Sequence, residues 1–275
     1  MILICDCGST KAEWVLLDGD RIVKRLTTNG FNPNFNNNET IQGVIGGVKD
    51  AIGNQDVSRI CFYGSGCGSE ANKIKVAMVF AIVFKISLIK VYPDTLGACH
   101  ALFGKNPGVA CILGTGSNAC IYDGVKITQS VASLGFMIGD EGSGCHIGKR
   151  IVHDYFLGIM PEDLRMKFDE KYHLDRESFL KKVYQGEQPS KYLAEFAKFA
   201  GENIDNQYIK DVVGECFEEF IETSRIARNE NVGFVGSVAF VFKDTLLQQL
   251  ENHNIKCVKI LKNPMDGLLE FYKKL

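Results

Sequence analysis

Short runs of alternating apolar and polar residues open the chain, and longer stretches with helical spacing separate them. Runs rich in β-branched residues predict strands at residues 2–5, 13–17, 21–26, 59–63 and 88–92. Apolar residues at helical spacing predict helices at residues 39–52 and 70–84. The tripeptide Asp18-Gly19-Asp20 is typical of a hairpin turn between the second and third strands. Interleaved strands and helices of this length are typical of an α/β domain.

The same pattern starts again near Gly108, where predicted strands at residues 109–113 and 119–122 flank a glycine turn. From about residue 149 to residue 228, β-rich runs become rare and apolar residues recur at helical spacing, as at Phe217, Phe220 and Ile221. This stretch is predicted to be helical. The last predicted elements are strands at residues 232–235 and 258–261 and helices at residues 243–253 and 267–275.

Length and charge narrow the picture further. A chain of 275 residues suggests two domains, each able to bury its own core. A net charge of −2 without a basic tract provides no field for a phosphate backbone, so no nucleic-acid partner is expected. The longest uncharged run, residues 76–84, falls short of the roughly 20 residues that span a bilayer. It predicts a buried helix and no membrane partner.

Two further features concern the compartment and metal binding. Met1 leads straight into a strand-like segment without the charged leader that export requires, so a cytoplasmic location is expected. The ten cysteines are scattered, and most lie in apolar runs, where cysteine behaves as a small hydrophobic residue. Their spacing is not that of the common metal sites.

A first candidate site is the turn between the first two strands, Asp6-Cys7-Gly8-Ser9-Thr10-Lys11. Glycine lets backbone amides approach phosphate oxygens, and the two hydroxyls can donate to them. The carboxylate of Asp6 can hold Mg²⁺ through water. An ordinary polar hairpin turn explains the segment equally well, since glycine-rich turns are common.

A second turn of this type, Leu113-Gly114-Thr115-Gly116-Ser117-Asn118, again joins two apolar strands. Two such turns could clamp one polyphosphate from opposite sides. Neither turn matches the Walker lysine motif or the dinucleotide fingerprint, in which the phosphate turn precedes a helix. The pair therefore argues against a P-loop enzyme and against a Rossmann dehydrogenase.

A glycine-rich acidic segment, residues 135–144, leads into a predicted helix at Ile147 and reads Gly-Phe-Met-Ile-Gly-Asp-Glu-Gly-Ser-Gly. Its glycines would let backbone approach a ligand while a carboxylate binds the ligand's hydroxyls. The alternative is a loop that ends at a helix cap, with Ser143 or Asp140 as the capping residue. Capping does not require so many glycines, which favours a binding loop.

One acid, Asp94, ends an apolar strand and precedes a helix of small residues in Pro93-Asp94-Thr95-Leu96-Gly97-Ala98. A carboxylate there can accept a hydroxyl proton as the oxygen attacks a γ-phosphate. A helix N-cap is the alternative role, and the two roles are compatible. A weaker signal is residues 233–239, Gly-Phe-Val-Gly-Ser-Val-Ala, whose small residues could let an adenine lie against backbone.

Taken in order, these segments resemble the sugar-kinase, heat-shock and actin ATPase superfamily. The resemblance is strongest to the BadF/BadG/BcrA/BcrD group, which contains N-acetylglucosamine kinases. It implies an α/β fold with two ribonuclease-H-like domains around a nucleotide cleft. The implied domains are residues 1–104 with a closing helix at 265–275, and residues 105–264 with a helical insertion. ATP, Mg²⁺ and a small sugar, most closely N-acetylglucosamine, are the implied ligands.

The resemblance also implies roles for individual residues. Asp94 matches the catalytic base, and Asp6 matches the residue that holds the metal. Polyphosphate and adenosine contacts are implied for Gly8, Ser9, Thr10, Lys11, Gly114, Thr115, Gly116, Gly236 and Ser237. Sugar contacts are implied for Asn32, Gly66, Asn118, Gly135 and Asp140. Pro33 follows Asn32 where amino-sugar kinases carry an aromatic residue.

Two other functions stay open at this point. One is an ATPase activator that couples ATP hydrolysis to electron transfer through a cluster shared by two subunits, with Cys67, Cys99 and Cys145 as candidate ligands. The other is a sugar sensor without turnover. The Gly-Asp-Glu-Gly-Ser segment and the presence of Asp94 beside both phosphate turns favour the kinase. A homodimer is expected, through apolar surface along the helical region.

Overall fold

The computed structural model describes residues 1–224 and 231–274. By its internal contacts the chain divides into two compact units, Met1–Gly104 with Pro264–Leu275 and Lys105–Asn263. Residues 225–228 of the predicted helical stretch and Leu275 of the predicted closing helix lie outside the described residues.

The first unit is a mixed five-stranded sheet with helices. Its elements are β1 (Ile2–Cys7), β2 (Lys11–Asp18), β3 (Arg21–Asn29), α1 (Asn38–Ile52), β4 (Arg59–Gly64), α2 (Glu70–Phe84), β5 (Ile89–Pro93), α3 (Asp94–Phe103) and the C-terminal helix (Met265–Lys273). The strand order is β3-β2-β1-β4-β5. β1 pairs antiparallel with β2 and parallel with β4, and β4 pairs parallel with β5. The carboxyl ends of β1, β4 and β5 therefore meet at one edge.

Aromatic side chains form the centre of the first unit's core. Trp14, Phe31, Phe62 and Phe80 are completely buried. The rings of Phe31 and Phe62 stack with centroids 5.4 Å apart, and Phe80 meets Phe62 edge-on at the same distance. Buried aromatic pairs of this geometry stabilise a core beyond the apolar area that they bury, so the edge that carries the candidate site rests on a rigid base.

The second unit repeats a five-stranded sheet and adds most of the helices. Its elements are β6 (Gly108–Leu113), β7 (Ser117–Tyr122), β8 (Ile127–Ser130), α4 (Gly135–Ile138), α5 (Gly144–Leu157), α6 (Glu162–Tyr172), α7 (Arg176–Gln185), α8 (Pro189–Glu195), α9 (Ala197–Glu202), α10 (Gln207–Ser224), β9 (Val232–Val235), α11 (Ser237–Val241), α12 (Lys243–Asn252) and β10 (Cys257–Leu261). The strand order is β10-β9-β6-β7-β8. The predicted residues Phe217, Phe220 and Ile221 lie on the buried face of α10.

The predicted α/β class with two sheet-containing units is confirmed. One prediction is wrong in part: residues 76–84 are helical but not buried on all sides. Val76, Val79, Phe80 and Phe84 face the core, whereas Met78 and Ile82 are 60% and 62% exposed. The helix lies on the unit's surface with one face toward the core. The prediction assumed that an uncharged run is buried on all sides, whereas the outer face of this helix is apolar and exposed. No helix within the described residues is long and apolar enough to cross a membrane.

Candidate functional site

The candidate residues of the first unit lie at the shared carboxyl edge of β1, β4 and β5. Asp6 is near the end of β1, Ser65 follows β4, and Asp94 follows β5 directly. The backbone N–H of Ser65 donates to the carbonyl oxygen of Cys7 at 2.8 Å, which ties the loop after β4 to the end of β1. Ligands of open α/β sheets bind at this edge, outside the carboxyl ends of parallel strands.

Two carboxylates dominate the electrostatics of this edge. Burial, together with the charges of Asp94 and Glu13, raises the pKa of Asp6 to about 7. Burial also raises the pKa of Asp94, against hydrogen bonds from its own backbone, Thr95 and Ser65 that lower it. Because burial disfavours the charged form of both carboxylates, a nearby cation would stabilise their ionised forms.

Mg²⁺ fits this donor set. Among the residues that the structure describes, no group of three or more His, Cys, Asp or Glu side chains is arranged as a complete metal cage. Mg²⁺ rarely needs one, because it binds through one or two carboxylates together with water and substrate phosphates. Asp6 provides one such carboxylate. It lies near Asp94, whose charge raises its pKa, and it precedes the Gly8–Ser9 turn.

Asp94 is the first residue of α3. One of its carboxylate oxygens accepts the backbone N–H of Thr95 at 2.9 Å, and the preceding residue, Pro93, makes no side-chain cap bond. Pro93 is the N-cap of α3, so the alternative of Asp94 as the capping residue is wrong. The carboxylate lies at the ligand-binding edge, and its role as a base stays a prediction.

Asn32 and Gly66 come together with the first phosphate turn. Asn32 is only 8% exposed, and its amide Nδ2 donates to Ser9 Oγ at 3.4 Å. Gly66 has φ +78°, and a Cβ atom there would collide with Asn32 Oδ1. Only glycine combines that backbone conformation with such a close approach. Asn32, expected to bind sugar, thus contacts Ser9, expected to bind phosphate, and Gly66 packs against Asn32.

In the second unit, the turn after β6 is fastened to the start of α5. The N–H of Gly144 donates to Gly114 O at 2.8 Å, and the N–H of Cys145 donates to Thr115 O at 3.1 Å. Gly236, with φ +135°, lies so close that a Cβ atom would collide with Leu113 O. The second phosphate turn, the helix after the acidic segment and the turn before Ser237 are therefore neighbours.

Asp140 lies directly over this turn. Its Oδ1 accepts the backbone N–H of Ser117 at 3.2 Å, and a Cβ atom on Gly116 would be 2.9 Å from Oδ2. Asp140 has φ +60°, an unusual conformation for a residue other than glycine. Backbone strain of this kind persists where the surrounding contacts enforce it, often at functional sites. Burial raises the pKa of Asp140 as well.

Asn118 borders the same place. Its Oδ1 atom is buried and has no hydrogen-bond partner within the described residues. Asn118 and Asp140 both line a small pocket with Leu134, Phe220 and Thr223. A buried oxygen without a partner costs free energy unless a ligand or water satisfies it. This pocket is consequently the part of the second unit best suited to bind a hydroxyl.

The structure leaves Gly135 outside this pocket. Gly135 is exposed, begins α4 with φ +71°, and has no other group within 4 Å of a built Cβ atom. Its neighbour Leu134 lines the pocket instead.

Comparison with known proteins identifies the family. The BadF/BadG/BcrA/BcrD ATPase family matches residues 5–213 of the chain. The chain belongs to this family. The resemblance predicted from the motifs is thus confirmed, and the family's description as ATPases supports the use of ATP.

Solved structures of other proteins share the fold. A candidate N-acetylglucosamine kinase from Porphyromonas gingivalis is 32% identical, with a TM-score of 0.96, over 100% of this chain and 99% of that one. A candidate N-acetylglucosamine kinase from Chromobacterium violaceum is 14% identical, with a TM-score of 0.76, over 98% of each chain. A ROK family glucokinase from Streptomyces griseus, in complex with glucose and AMPPNP, is 12% identical, with a TM-score of 0.58, over 98% and 97%. No curated protein matches the chain.

Sequence reasoning missed two residues that lie next to the first phosphate turn. A Cβ atom on Gly30 would collide with Gly8 O, so glycine is required behind the first phosphate turn. Ser65 contacts Ser9, with 3.3 Å between the two Oγ atoms. Ser65 stands between Gly64 and Gly66, and a serine between glycines carries no signal of its own.

Proposed function

We propose that this chain transfers the γ-phosphate of ATP to a hydroxyl of an amino sugar, N-acetylglucosamine in the first instance, with Asp94 as the catalytic base. The observation that carries the proposal is the position of Asp94 at the carboxyl edge of the first sheet, beside Asp6 and the Gly8–Ser9 turn. A base, a cation ligand and a phosphate turn at one edge are the parts that phosphoryl transfer to a hydroxyl requires.

The phosphate would be held by backbone and hydroxyl groups. The residues that would bind it are Gly8, Ser9, Thr10 and Lys11 of the first phosphate turn and Gly114, Thr115 and Gly116 of the second phosphate turn. Asp6 would hold Mg²⁺, which when bound neutralises charge on the phosphate oxygens. Gly236 and Ser237 would contact the adenosine, since Gly236 is partly exposed and Ser237 is exposed at the start of α11.

Asp94 would receive the proton of the attacking hydroxyl. Its burial raises the pKa of the carboxyl group above that of a free aspartate, and a base with a pKa closer to the working pH accepts a proton more effectively. The hydrogen bond from Thr95 fixes one carboxylate oxygen. Removal of the proton makes the sugar oxygen a stronger nucleophile toward the γ-phosphorus.

Sugar hydroxyls would be bound by polar side chains. Asn32, held next to Gly66 and Ser9, would be one of them. Asn118 and Asp140 would contribute from the pocket of the second, where Asn118 Oδ1 lacks a partner among the described residues. The 32% identity to the P. gingivalis candidate kinase supports N-acetylglucosamine as the first substrate to test.

The activator alternative is disfavoured by the cysteines. Cys67, Cys99 and Cys145 are all completely buried, and burial raises the pKa values of Cys67 and Cys145 to about 12. A cluster shared between two subunits needs thiolates that reach the subunit surface. A sugar sensor would use the same binding residues, so only a measurement of turnover distinguishes it from a kinase.

The test is ADP release with Mg-ATP in the presence of N-acetylglucosamine, N-acetylmuramate, N-acetylmannosamine, glucosamine or glucose, and without sugar. Sugar-dependent turnover that falls at least about 1,000-fold in Asp94→Asn is expected, because the base is removed with little change in shape. Asp163→Asn, which changes an exposed acid in the first turn of α6, is the matched control and should keep full activity. ADP release at the same rate with and without sugar, or no turnover at all, would refute the proposed kinase activity.

A further inference from the structure

The short loop before α5 is held by hydrogen bonds and by close packing. Asp140 Oδ1 accepts the N–H of Ser117 at 3.2 Å, and the carbonyl oxygen of Asp140 accepts the N–H of Ser143 at 3.2 Å. Gly142 has φ +68°, and a Cβ atom there would be 2.8 Å from Cβ of Phe220 in α10. The loop therefore has little room to shift without moving the Asp140 carboxylate.

His146 supplies a hydrogen-bond acceptor to this loop. Gly142 is buried, and its N–H donates to His146 Nδ1 at 3.1 Å. His146 lies in the first turn of α5, where its own backbone N–H donates to the capping oxygen, Ser143 Oγ, at 3.1 Å. The residue thus binds the loop twice, once through its backbone and once through its ring. A buried N–H without an acceptor is costly, so the ring contributes to the conformation of the loop.

Only one protonation state of the imidazole can accept this bond. Nδ1 must carry no proton, which places the proton of the neutral ring on Nε2. Nε2 faces a carboxylate of α10, 3.6 Å from Glu219 Oε2, and this neighbour favours that tautomer. Burial, with the charges of Lys149 and Arg150, lowers the pKa of His146 to about 4, while the charge of Glu141 opposes the shift. Near pH 7 the ring is therefore neutral and Nδ1 is available.

We propose that His146 is a positioning residue, which holds Asp140 over the second phosphate turn by accepting the N–H of Gly142. Asp140 has φ +60°, a conformation that persists only where the surrounding contacts enforce it. The bond to the ring of His146 is one of those contacts, two residues further along the loop. This inference rests on the proposed sugar kinase function, in which Asp140 binds a sugar hydroxyl, so the orientation of the loop sets the affinity for sugar.

The test compares His146→Leu, which places a carbon at the Nδ1 position, with His146→Asn, whose Oδ1 can accept the same bond. A buried N–H that loses its acceptor corresponds to a factor of about 5 to 100 in an equilibrium constant, so His146→Leu should raise the Kd and the KM for N-acetylglucosamine by that factor. Its kcat should stay within about threefold of wild type, because the lost interaction serves sugar binding and not the chemical step. His146→Asn should bring Kd and KM back to within about threefold of wild type.

His253→Leu is the matched control. His253 also faces a glutamate of α10, with Nε2 2.8 Å from Glu218 Oε1, but it stands at the end of α12. This variant loses an imidazole next to the same helix, and it should bind N-acetylglucosamine as wild type does.

The outcomes separate the inference from the kinase. An unchanged Kd in His146→Leu, or a His146→Asn variant that binds as weakly as His146→Leu, overturns the inference and leaves the kinase standing. Wild type that binds N-acetylglucosamine without turnover overturns the kinase, and Kd values from calorimetry without ATP still decide the role of His146. Wild type that binds no N-acetylglucosamine overturns both. If His146→Leu does not fold, as judged by its melting curve, His146→Phe, which keeps a ring but has no acceptor, takes its place.

Discussion

Replacing His100 with glutamine is predicted to remove much of the acid sensitivity of the first unit. His100 lies in α3, where its Nδ1 atom is 2.8 Å from the hydroxyl of Tyr63 and its ring stacks on Phe271 with centroids 4.2 Å apart. Burial lowers the pKa of His100 to about 4, from an ordinary value of 6.5. The folded protein therefore keeps this imidazole neutral at pH values where the unfolded chain would protonate it.

The sign and size of the effect follow from this difference. The folded pKa lies below the unfolded pKa, so the stabilisation is complete above pH 6.5 and is lost as the pH falls toward 4. Each pH unit below 6.5 costs about 1.4 kcal/mol, or about 2 kcal/mol at pH 5. Because the side chain is partly exposed, screening by solvent reduces this figure to roughly 1–2 kcal/mol.

The assay is thermal unfolding of wild type and His100→Gln between pH 7.5 and pH 5. Glutamine can keep the hydrogen bond to Tyr63 but loses the stacking on Phe271, so the variant should melt lower than wild type at pH 7.5. On acidification wild type should lose about 3–6 °C more than the variant. Burial also lowers the pKa of His146, in the second unit, to about 4. This histidine destabilises the folded protein in acid in the same way, so the melting temperatures of wild type and variant should both still fall with pH.

The control is His173→Asn, at an exposed position that ends α6 with φ +43°. Asparagine tolerates that conformation, so this variant should follow the wild-type pH dependence. Parallel melting temperatures for wild type and His100→Gln from pH 7.5 to pH 5 would refute the assignment of acid sensitivity to His100.

Three further substitutions test the packing and the pocket. Gly236→Ala places a Cβ atom at φ +135° against Leu113 O, so urea unfolding should show a loss of more than about 3 kcal/mol; near-wild-type stability would contradict the close approach. Gly47→Ala, in α1 with open space around it, should instead gain about 0.5–1 kcal/mol in the same assay, and a loss would contradict that geometry. Asn118→Ala removes a buried oxygen without a partner, so the free protein should be as stable as wild type or more so, while the sugar KM rises at least about tenfold; an unchanged KM would exclude Asn118 from the sugar site.

Local chemistry was sufficient to find the segments of the candidate site. The turns at Gly8 and Gly114 and the acid at Asp94 occur where strands end, and strand ends are visible in the hydrophobic pattern. β8 was missed because Ile-Thr-Gln-Ser, residues 127–130, carries a single large apolar residue. The segment is a strand because it pairs with β7 at the edge of the sheet. Pairing of that kind depends on distant parts of the chain.

The contact between Ser9 and Ser65 was beyond sequence reasoning for a related reason. The two residues follow β1 and β4, and they meet only because those strands pair in parallel with a register of Cys7 to Gly64. The α4 helix and the exposed position of Gly135 are similar cases, since a four-residue helix has no periodicity to detect. The chemistry of a segment can be inferred from its residue types, but which residues contact each other depends on how the strands pair.

The C-terminal helix links the order of synthesis to the first unit. Gly267 lies so close to α3 that a Cβ atom there would collide with Ala101 O, and the Tyr272 hydroxyl is 2.8 Å from that of Tyr63. During translation, α3 and the Tyr63 and His100 side chains therefore stay uncovered until residues 264–274 have been made. The second unit, which is continuous in sequence, needs no such delay. A premature stop before Pro264 would leave the second unit complete, whereas the first unit, which carries Asp94, would lack its last helix.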